Sequence, residues 1–567
     1  MSKAGTLIGR RYGGFRGVDF RGEEVNISRS PDSMNMWRDY ENPEGITTRP
    51  SIEPISKTEG TVYGVFFYNG KTILHIGEKL YAGNIYTDSY DNKKEIYSNL
   101  VKGKSHFFNY GGKLYIKDGA KYICYDGNNA REVEGYVPTT SIGRNPGGGG
   151  TTYEDVNMLS SYRKNSFLAD GESTVYHLDS TDIDSDSVPQ VTINGSACVN
   201  SAYKVDYKNG TITFTFTPEK PSTDGQDNVV IQFKKTVEGH RETIEKCTIA
   251  QVFDNRVFFS GNPDKPNFLW HSSLDDPTYV SDLDYYQDGM DNAAIKAMVA
   301  GNNALSVFRE PKANDTSVFY HTPTIDAEYG KIYPSRHSSI SLGCKGGAIN
   351  FNDDIVFLST RGLEGVTGDV ETEQFASHRS SLVDAKLNEW NTLNMCLEEW
   401  EGYLLIMSGR NIYLADSRSK FQNGDHFEYE WFYWIIDQNI ISSCSSLGAL
   451  WLGTNNGLYL LQKAYYHENP VRSYWVTPKD KFDNPNKLKT SHKRGCVVEA
   501  KGDVEVYAKV EDSDFEHIGT YEGVEDYFVS RIKRKKFKDI QLKFSSDTRF
   551  SLETATLEAF VGGYIKR

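Results

Sequence analysis

Two groups of aspartates are the residues of this 567-residue chain most able to do chemistry. Asp182, Asp184 and Asp186 alternate along the chain as the oxygen ligands of a calcium-binding loop do. Ser187 stands where such a loop has glycine, however, and Ile193 stands where it has a bidentate glutamate. A solvated loop is therefore the favoured interpretation, and we expect neither a metal ion nor a cofactor.

The second group contains six aspartates in one short stretch: Asp275, Asp276, Asp282, Asp284, Asp288 and Asp291. Two carboxylates held about 5–10 Å apart can hydrolyse a glycoside, so a propeller glycosidase is one alternative. Aspartate is also a common turn former, and that interpretation is favoured here. The sequence has no nucleophile elbow, no zinc-protease motif and no phosphate loop. The glycines of 147–150 are not a phosphate loop because no lysine follows them, and they indicate a linker or tight turn. We predict that the chain is not an enzyme.

Two further clusters are candidates for binding. The basic run Arg531, Lys533, Arg534, Lys535 and Lys536 predicts contact with nucleic acid or with an acidic protein partner, or an exposed strand edge on which lysine blocks unwanted pairing; the last two are favoured. The aromatic residues 431–434 predict either packing between blades, which is favoured, or a stacking platform of a glycan- or receptor-binding module.

Charge and composition limit the classes of function. The chain carries 63 Lys and Arg against 77 Asp and Glu, a net charge of -14, which argues against general nucleic-acid binding. An acidic surface would instead let nucleic acid slide past without sticking. No apolar run approaches the roughly 18 residues that span a bilayer, so we expect no transmembrane segment. The seven cysteines form no CxxC pair and indicate small buried residues in a reducing cytoplasm.

The elements that would position these residues are β-hairpins. An apolar run, a two-residue turn and a second apolar run recur seven times, with first turn residues at 69, 111, 254, 302, 353, 401 and 447. Most steps are close to 48 residues, and blades of β-propellers repeat every 40–50 residues or so. The pattern predicts an all-β protein, a β-propeller of about seven blades; unrelated hairpins in a large sandwich are the alternative.

The single long step, of 143 residues, predicts a small β-sandwich inserted into the propeller, and a change of pattern after 461 predicts a carboxyl-terminal β-domain. A short helix is expected within 381–400. The predicted boundaries are 1–60 for an amino-terminal arm leading into the first blade, 61–164 and 238–462 for the propeller, 165–237 for the insert, 463–490 for a linker and 491–567 for the terminal β-domain.

The amino-terminal stretch adds a resemblance to a known family. Its ordered residues Gly13, Gly14, Asn35, Trp37, Gly45, Arg49 and Pro50 resemble the opening of bacteriophage virion proteins of the tail nozzle and "stabilization protein" type, which act at the head–tail junction. Later stretches at 153–160, 270–277, 308–310 and 537–564 are similar to segments of the same proteins, in the same order.

The resemblance implies a structural role. Such a protein would be a virion component of the neck or tail, assembled in the host cytoplasm. It would form a ring, a cyclic homo-oligomer that closes or extends the genome-ejection channel. Its partners would be portal, adaptor or other tail components, and the genome would pass through without sequence-specific binding.

Overall fold

Strands make up nearly all the secondary structure of the chain. The computed structural model describes residues 5–41, 45–86, 88–301, 303–311, 316–327, 330–368, 375–389, 395–463, 471–522, 528–530, 532 and 536–564. These residues form two short α-helices, His240–Glu245 and Asp384–Leu387, and one 3-10 turn, Asn200–Ala202. The second helix lies in the stretch 381–400 where we expected one, but Cys396–Trp400 is already a strand. No helix within the described ranges is long and apolar enough to cross a membrane.

All seven predicted hairpins are present. The backbone of both turn residues has positive φ in six of them, as a type I′ turn requires. In the remaining hairpin, the fourth along the chain, the second turn residue Asn303 has φ 58. The six complete turns are Asn69 and Gly70, Gly111 and Gly112, Asp254 and Asn255, Asn352 and Asp353, Glu401 and Gly402, and Leu447 and Gly448. The fifth turn thus begins one residue earlier than predicted, because Asp354 already belongs to the following strand.

Five of the hairpins open separate four-stranded antiparallel sheets, which are the blades of a β-propeller. Blade 1 contains Val62–Tyr68, Lys71–Ile76, Lys79–Tyr86 and Ser89–Ser98. Blade 2 contains His106–Tyr110, Lys113–Lys117, Tyr122–Tyr125 and Ala130–Glu132. Blade 3 contains Ile249–Phe253, Arg256–Ser260, Phe268–His271 and Tyr285–Gln287. Blade 4 contains Ile295–Gly301, Ala304–Arg309, Val318–His321 and Ser335–His337, with a side hairpin of Thr324–Asp326 and Gly330–Ile332. Blade 5 contains Ala348–Phe351, Asp354–Leu358, Leu363–Thr367 and Phe375–His378.

The sixth and seventh hairpins share one six-stranded sheet, called the last sheet here. Its strands are, in spatial order, Cys396–Trp400, Tyr403–Asn423, His426–Ser446, Ala449–Thr454, Gly457–Gln462 and Ile52–Pro54. Two 21-residue strands run through both hairpins and shift register near Gly409 and Ile440. The seven hairpins therefore occupy six sheets, and the edge of the last sheet is completed by a strand from near the amino terminus.

The chain divides into two bodies. The first contains 1–95, 310–318 and 338–567, and the second contains 96–309 and 319–337. In the second body, blades 2 and 3 pack through Tyr122 against Phe259, and blades 3 and 4 pack through Phe258 against Tyr333. In the first body, blade 5 meets the last sheet through Phe351 and Tyr429.

The inserted sandwich belongs to the second body and is longer than predicted. One sheet contains Thr139–Arg144, Thr151–Thr152, Tyr162–Phe167, Gln190–Ile193, Ser196–Ala197 and Val229–Lys234. The other contains Val175–His177, Tyr203–Asp206 and Thr211–Phe214. It begins at Thr139 and not at 165, so the glycines of 147–150 form a turn between its first two strands.

The terminal β-domain belongs to the first body and is built from both ends of the chain. Its larger sheet contains Thr6–Tyr12, Met36–Trp37, Ile46–Thr48, Lys487–Lys501, Phe528–Ser530, Lys536–Phe537 and Ser551–Tyr564. Its smaller sheet contains Ser33–Met34, Ser473–Val476, Asp503–Val510, Glu516–Glu522 and Ile540–Ser546. A two-stranded ribbon, Gly17–Val18 with Arg29–Ser30, follows Thr6–Tyr12 in the chain. The segment expected as an arm thus supplies four strands to the two sheets, two to the ribbon and Ile52–Pro54 to the last sheet. The segment expected as a linker supplies Ser473–Val476 and the start of Lys487–Lys501.

Candidate functional site

The amino-terminal residues of the family resemblance lie in the first body, whereas the stretches 153–160 and 270–277 belong to the second. We call residues 13–41 and 45–50 the closing layer, because this part of the amino-terminal segment packs on both the last sheet and the terminal β-domain. Asn35 is its central polar residue, 4% exposed and with φ 59. Its side-chain oxygen accepts hydrogen bonds from the Ile435 amide at 2.9 Å and from Arg49 Nε at 3.0 Å. Its side-chain nitrogen donates to the Arg472 carbonyl at 2.8 Å.

Arg49 is a buried cation that donates hydrogen bonds to the backbone. Its guanidinium donates to the carbonyls of Pro50 at 2.8 Å and of Ile435 at 3.2 Å, in addition to Asn35. Burial lowers the pKa of Arg49 to about 10, so the group is still charged near neutral pH. Pro50 accepts from it directly before the strand Ile52–Pro54, and this fixes where the chain enters the last sheet.

Trp37 fills the apolar part of the closing layer. Its ring stacks on Trp400 with centroids 5.6 Å apart and meets Trp434 edge-on, also at 5.6 Å. The Trp434 indole nitrogen donates to the Met36 carbonyl at 3.2 Å. Fully buried aromatic rings in such edge and stacked arrangements contribute about 0.5–1.5 kcal/mol per pair beyond their area. The tryptophans therefore bind the closing layer firmly to the last sheet.

The three glycines of the resemblance allow close approach or an unusual turn. A side chain on Gly45 would stand 2.4 Å from the Leu552 carbonyl oxygen, so only glycine fits against the strand Ser551–Tyr564. Gly13 lies beside Thr554 of the same strand, and Gly14 has φ 60. Gly13 and Gly45 thus bring the amino-terminal segment against the carboxyl-terminal strand.

A buried ion pair that the sequence did not indicate reinforces this layer. Arg29 donates from Nε and Nη2 to the two carboxylate oxygens of Glu430, at 2.9 and 2.7 Å, and its guanidinium lies 4.4 Å from the ring centre of Phe421. Both charged side chains are buried. The partners are 401 residues apart, so no local sequence pattern could have paired them.

The basic run is described only in part. Lys536 is exposed in a short strand that pairs with Thr490, as expected of a lysine on an edge. Arg531, Lys533, Arg534 and Lys535 lie outside the described residues. The prediction that this run contacts an acidic partner remains a prediction.

The calcium-like aspartates are engaged with neighbouring side chains. Asp184 accepts a hydrogen bond from the Thr236 amide at 3.1 Å, and Asp186 forms an ion pair with Lys234. Among the residues that the structure describes, no three His, Cys, Asp or Glu side chains are grouped so as to hold a metal ion.

The aspartates of 275–291 have different partners and different structural roles. Asp276 accepts from the Thr278 amide at 2.8 Å, as a turn former does. Asp288 is buried and accepts from Ser335 at 2.6 Å, and its other oxygen lies 3.0 Å from Nε2 of His321. Asp291 pairs with Arg309.

Asp284 is the carboxyl of this group with the most altered acidity. Burial raises the pKa of Asp284 to about 6, the direction expected of a general acid. Its neighbour His271 lies 4.0 Å away, and burial lowers the pKa of that imidazole to about 4, so it is neutral near pH 7. A raised pKa also follows from burial alone, as it does here, and by itself does not make a catalytic pair.

The aromatic residues 431–434 are mostly buried. Trp431, Phe432 and Trp434 have no exposed surface, and the Tyr433 hydroxyl donates to Asn411 at 2.7 Å. A stacking platform for sugars needs open ring faces, which these three residues lack. Trp431 packs against blade 5, as the favoured interpretation predicts, whereas Trp434 packs against Trp37 of the closing layer.

Another titratable residue in the first body is a caged histidine in blade 5. The Nε2 atom of His378 lies 2.6 Å from an oxygen of Asp384, and its Nδ1 atom lies 3.0 Å from an oxygen of Glu364. Burial would lower the pKa of His378, but the hydrogen bonds to the two carboxylates outweigh it and raise the pKa to about 10. The imidazolium is therefore a fixed structural cation near neutral pH.

Comparisons with known proteins add little to this geometry. No protein-family model matches the chain, and no curated protein is similar to it in sequence. Among solved structures it is similar to PorZ, a surface component of the type-IX secretion system of Porphyromonas gingivalis, with 10% identity over 75% of this chain and a TM-score of 0.35. The aligned part spans 42% of PorZ.

Two further similar structures are as remote. BamB from Moraxella catarrhalis is 9% identical over 73% of this chain and 99% of BamB, with a TM-score of 0.34. The Pan2 WD40 domain of Neurospora crassa is 8% identical over 72% of this chain and 92% of that domain, with a TM-score of 0.26. The chain's own four-stranded sheets establish its propeller fold, and similarities of this size bear on no function.

The hydrogen bonds of Asn35 predict a large effect of its removal. We expect Asn35→Ala to lower the free energy of unfolding of the first body by at least about 3 kcal/mol, because it leaves several buried polar groups without partners and strains a positive φ. Asn35→Gly relieves the strain and should cost about 1 kcal/mol less. Denaturant titration measures both.

Asn69 supplies a matched control. It has φ 47 in the exposed turn of blade 1, so Asn69→Ala reports the backbone strain alone, about 1 kcal/mol. Equal losses for Asn35→Ala and Asn69→Ala would show that the side-chain contacts of Asn35 contribute nothing.

The caged histidine predicts a pH dependence. The folded pKa of His378 lies above the value near 6.5 of an unfolded histidine, so its stabilising effect is complete below about pH 6.5 and disappears as the pH rises to about 10. We expect the difference in unfolding free energy between the wild type and His378→Gln to shrink over this range. A difference that stays constant from pH 6 to pH 10 would mean that the imidazole is not charged in the folded protein.

Proposed function

We propose that this chain is a non-enzymatic structural component of a bacteriophage virion at the neck or tail. Copies of it form a ring that closes or extends the channel through which the genome leaves. The observation that carries the proposal is that five residues of the family resemblance are buried where the amino-terminal segment packs on the last sheet and the terminal β-domain, namely Asn35, Trp37, Gly45, Arg49 and Pro50. The resemblance thus rests on residues with a joint architectural role.

The architecture of the first body suits a part that bears load. A ring around a genome channel is stressed during packaging and ejection, and a loose terminus would be the first element to open. Here the amino-terminal segment is held by the buried pair of Arg29 and Glu430 and by the backbone bonds of Arg49. A block whose segments from Phe15 onward are held in this way can repeat around an axis and bury the same two faces in each contact.

The distribution of charge supports the same role. Residues 1–470 carry 44 Lys and Arg against 61 Asp and Glu, whereas residues 471–567 carry 19 against 16. The larger acidic part would repel the phosphate backbone and let the genome slide without sequence-specific binding. The slightly basic terminal part would bind acidic neighbours, which we propose are portal, adaptor or other tail proteins, in the virion assembled in the host cytoplasm.

Purified full-length protein tests this proposal. Native mass spectrometry and negative-stain microscopy should show closed rings of one copy number, about six or twelve. Charge reversal of the basic run (Arg531, Lys533, Arg534, Lys535 and Lys536, each to Glu) should lower ring yield or partner binding at least about tenfold at physiological salt, because attraction becomes repulsion.

The matched control reverses five exposed lysines elsewhere, namely Lys94, Lys113, Lys204, Lys208 and Lys220, and should assemble as the wild type does. Equal assembly of the two variants would leave the basic run as a solvated strand edge and remove it as a contact. A chain that stays monomeric at every concentration would contradict the ring itself.

A further inference from the structure

The amino-terminal strand Thr6–Tyr12 lies along the carboxyl-terminal strand Ser551–Tyr564. Seven residues pair in an unbroken antiparallel register, from Thr6 opposite Val561 to Tyr12 opposite Ala555. Gly13 and Gly14 join the strand to the closing layer at its carboxyl end.

The side chains of the amino-terminal strand hold it weakly. Tyr12 is its one buried residue, while Leu7 is 47% exposed and Gly9 has open space around it. The specific anchors are at its end: Arg10 Nε and the Tyr12 hydroxyl each donate to Asp480 at 2.9 Å. Arg10 also forms an ion pair with Asp483 at 2.9 Å, and Ile8 packs against the core to which Tyr12 belongs. Besides backbone pairing, the strand is thus attached mainly through Arg10 and Tyr12 at its carboxyl end.

The carboxyl-terminal strand, whose edge the amino-terminal strand covers, is itself firmly held. Ala555, Leu557 and Ala559 of the carboxyl-terminal strand are fully buried and belong to the main core of the first body. This strand is held on its other side by Lys487–Lys501 and stays in place when the amino-terminal strand leaves. Seven residues of backbone would then expose unpaired donors and acceptors, which must be covered by another strand.

The chemistry of the edge selects its occupant. The strand that pairs with this edge must present an arginine and a tyrosine to Asp480 in the register of positions 10 and 12. Its remaining side chains must tolerate exposure to solvent, as most of those of Thr6–Tyr12 do. The segment Thr6–Tyr12 of a second copy satisfies each of these contacts by identity. A second copy is therefore the occupant to which the argument leads.

A hinge stands at the point where the strand would separate. Gly13 and Gly14 follow Tyr12, and Gly14 has φ 60 with no atom near its missing side chain. Phe15, the next residue, is buried and packs edge-on against Trp475 at 5.1 Å. The chain can turn at the two glycines while everything from Phe15 onward keeps its contacts.

We propose that neighbouring copies in the assembled ring exchange their amino-terminal strands, so that Thr6–Tyr12 of one copy pairs with the carboxyl-terminal strand of the next. This inference rests on the proposed ring. Exchange replaces each backbone bond by an identical one, so it costs little beyond the ordering of the hinge. Each contact in the ring then contains a sheet that is completed by a strand of the neighbouring copy.

Disulfide trapping tests the exchange. Arg11 and Thr556 face each other in the register, with Arg11 exposed and Thr556 half-buried, and paired residues of adjacent strands have the separation that a disulfide needs. Full-length Arg11→Cys and Thr556→Cys proteins are mixed before assembly, rings are isolated and mildly oxidised, and non-reducing electrophoresis follows. We expect a covalent dimer containing one chain of each kind.

The double variant separates the possible outcomes. With exchange, assembled Arg11→Cys/Thr556→Cys protein gives a ladder of linked chains, whereas a dilute monomeric fraction gives only the internal disulfide. The wild type and an out-of-register pair, Leu7→Cys with Thr556→Cys, control for the native cysteines and for random collisions. Rings that contain only internal disulfides would overturn the exchange and leave the ring intact. A failure to form rings would overturn the proposed function and the exchange with it, and the lack of any disulfide would show that the register is wrong.

Discussion

The hydrogen bonds of Asn35 join the amino-terminal segment to two parts of the chain that lie 400 and 437 residues away. Its side chain bonds to Arg49 in the closing layer, to Ile435 in the last sheet and to Arg472 at the entry to the terminal β-domain. If any of these partners is missing, a buried polar group loses its hydrogen bond, and this destabilises the folded state substantially. The first body is therefore complete only when the amino-terminal segment lies between the last sheet and the terminal β-domain.

The closing layer combines buried charge with dense aromatic packing, and the two contribute differently. Trp37 and its ring partners supply apolar contact, which tolerates some change of position. Arg49 and the pair of Arg29 with Glu430 supply hydrogen bonds of fixed direction, which tolerate little change of position. Burying charges adds little net stability, but misplacing them is costly, so they specify one arrangement of the ends. A ring component that must present identical faces in every copy benefits from that uniqueness.

Local features of the fold could be predicted from the sequence, and distant pairings could not. Hairpins such as the one around Asn69 and Gly70 can be predicted because the turn residues and the apolar runs on either side of them are adjacent in the sequence. The merging of the last two hairpins and the pairing of Thr6–Tyr12 with Ser551–Tyr564 depend on contacts between chain ends, for which no local signal exists. The resemblance named Asn35 and Arg49 as important residues, yet only the structure gives their task.

Hydrogen–deuterium exchange of the intact chain tests most directly whether the closing layer locks the first body. The amides of Ile435 and Arg49 both donate to oxygens of Asn35, and peptides covering them can be followed by mass spectrometry. The account predicts that these amides exchange as slowly as the core strand around Val498, because they open only when the whole body opens. Exchange as fast as that of the exposed turn at Leu447 would contradict it, since the chain ends would then open independently of the sheets they join.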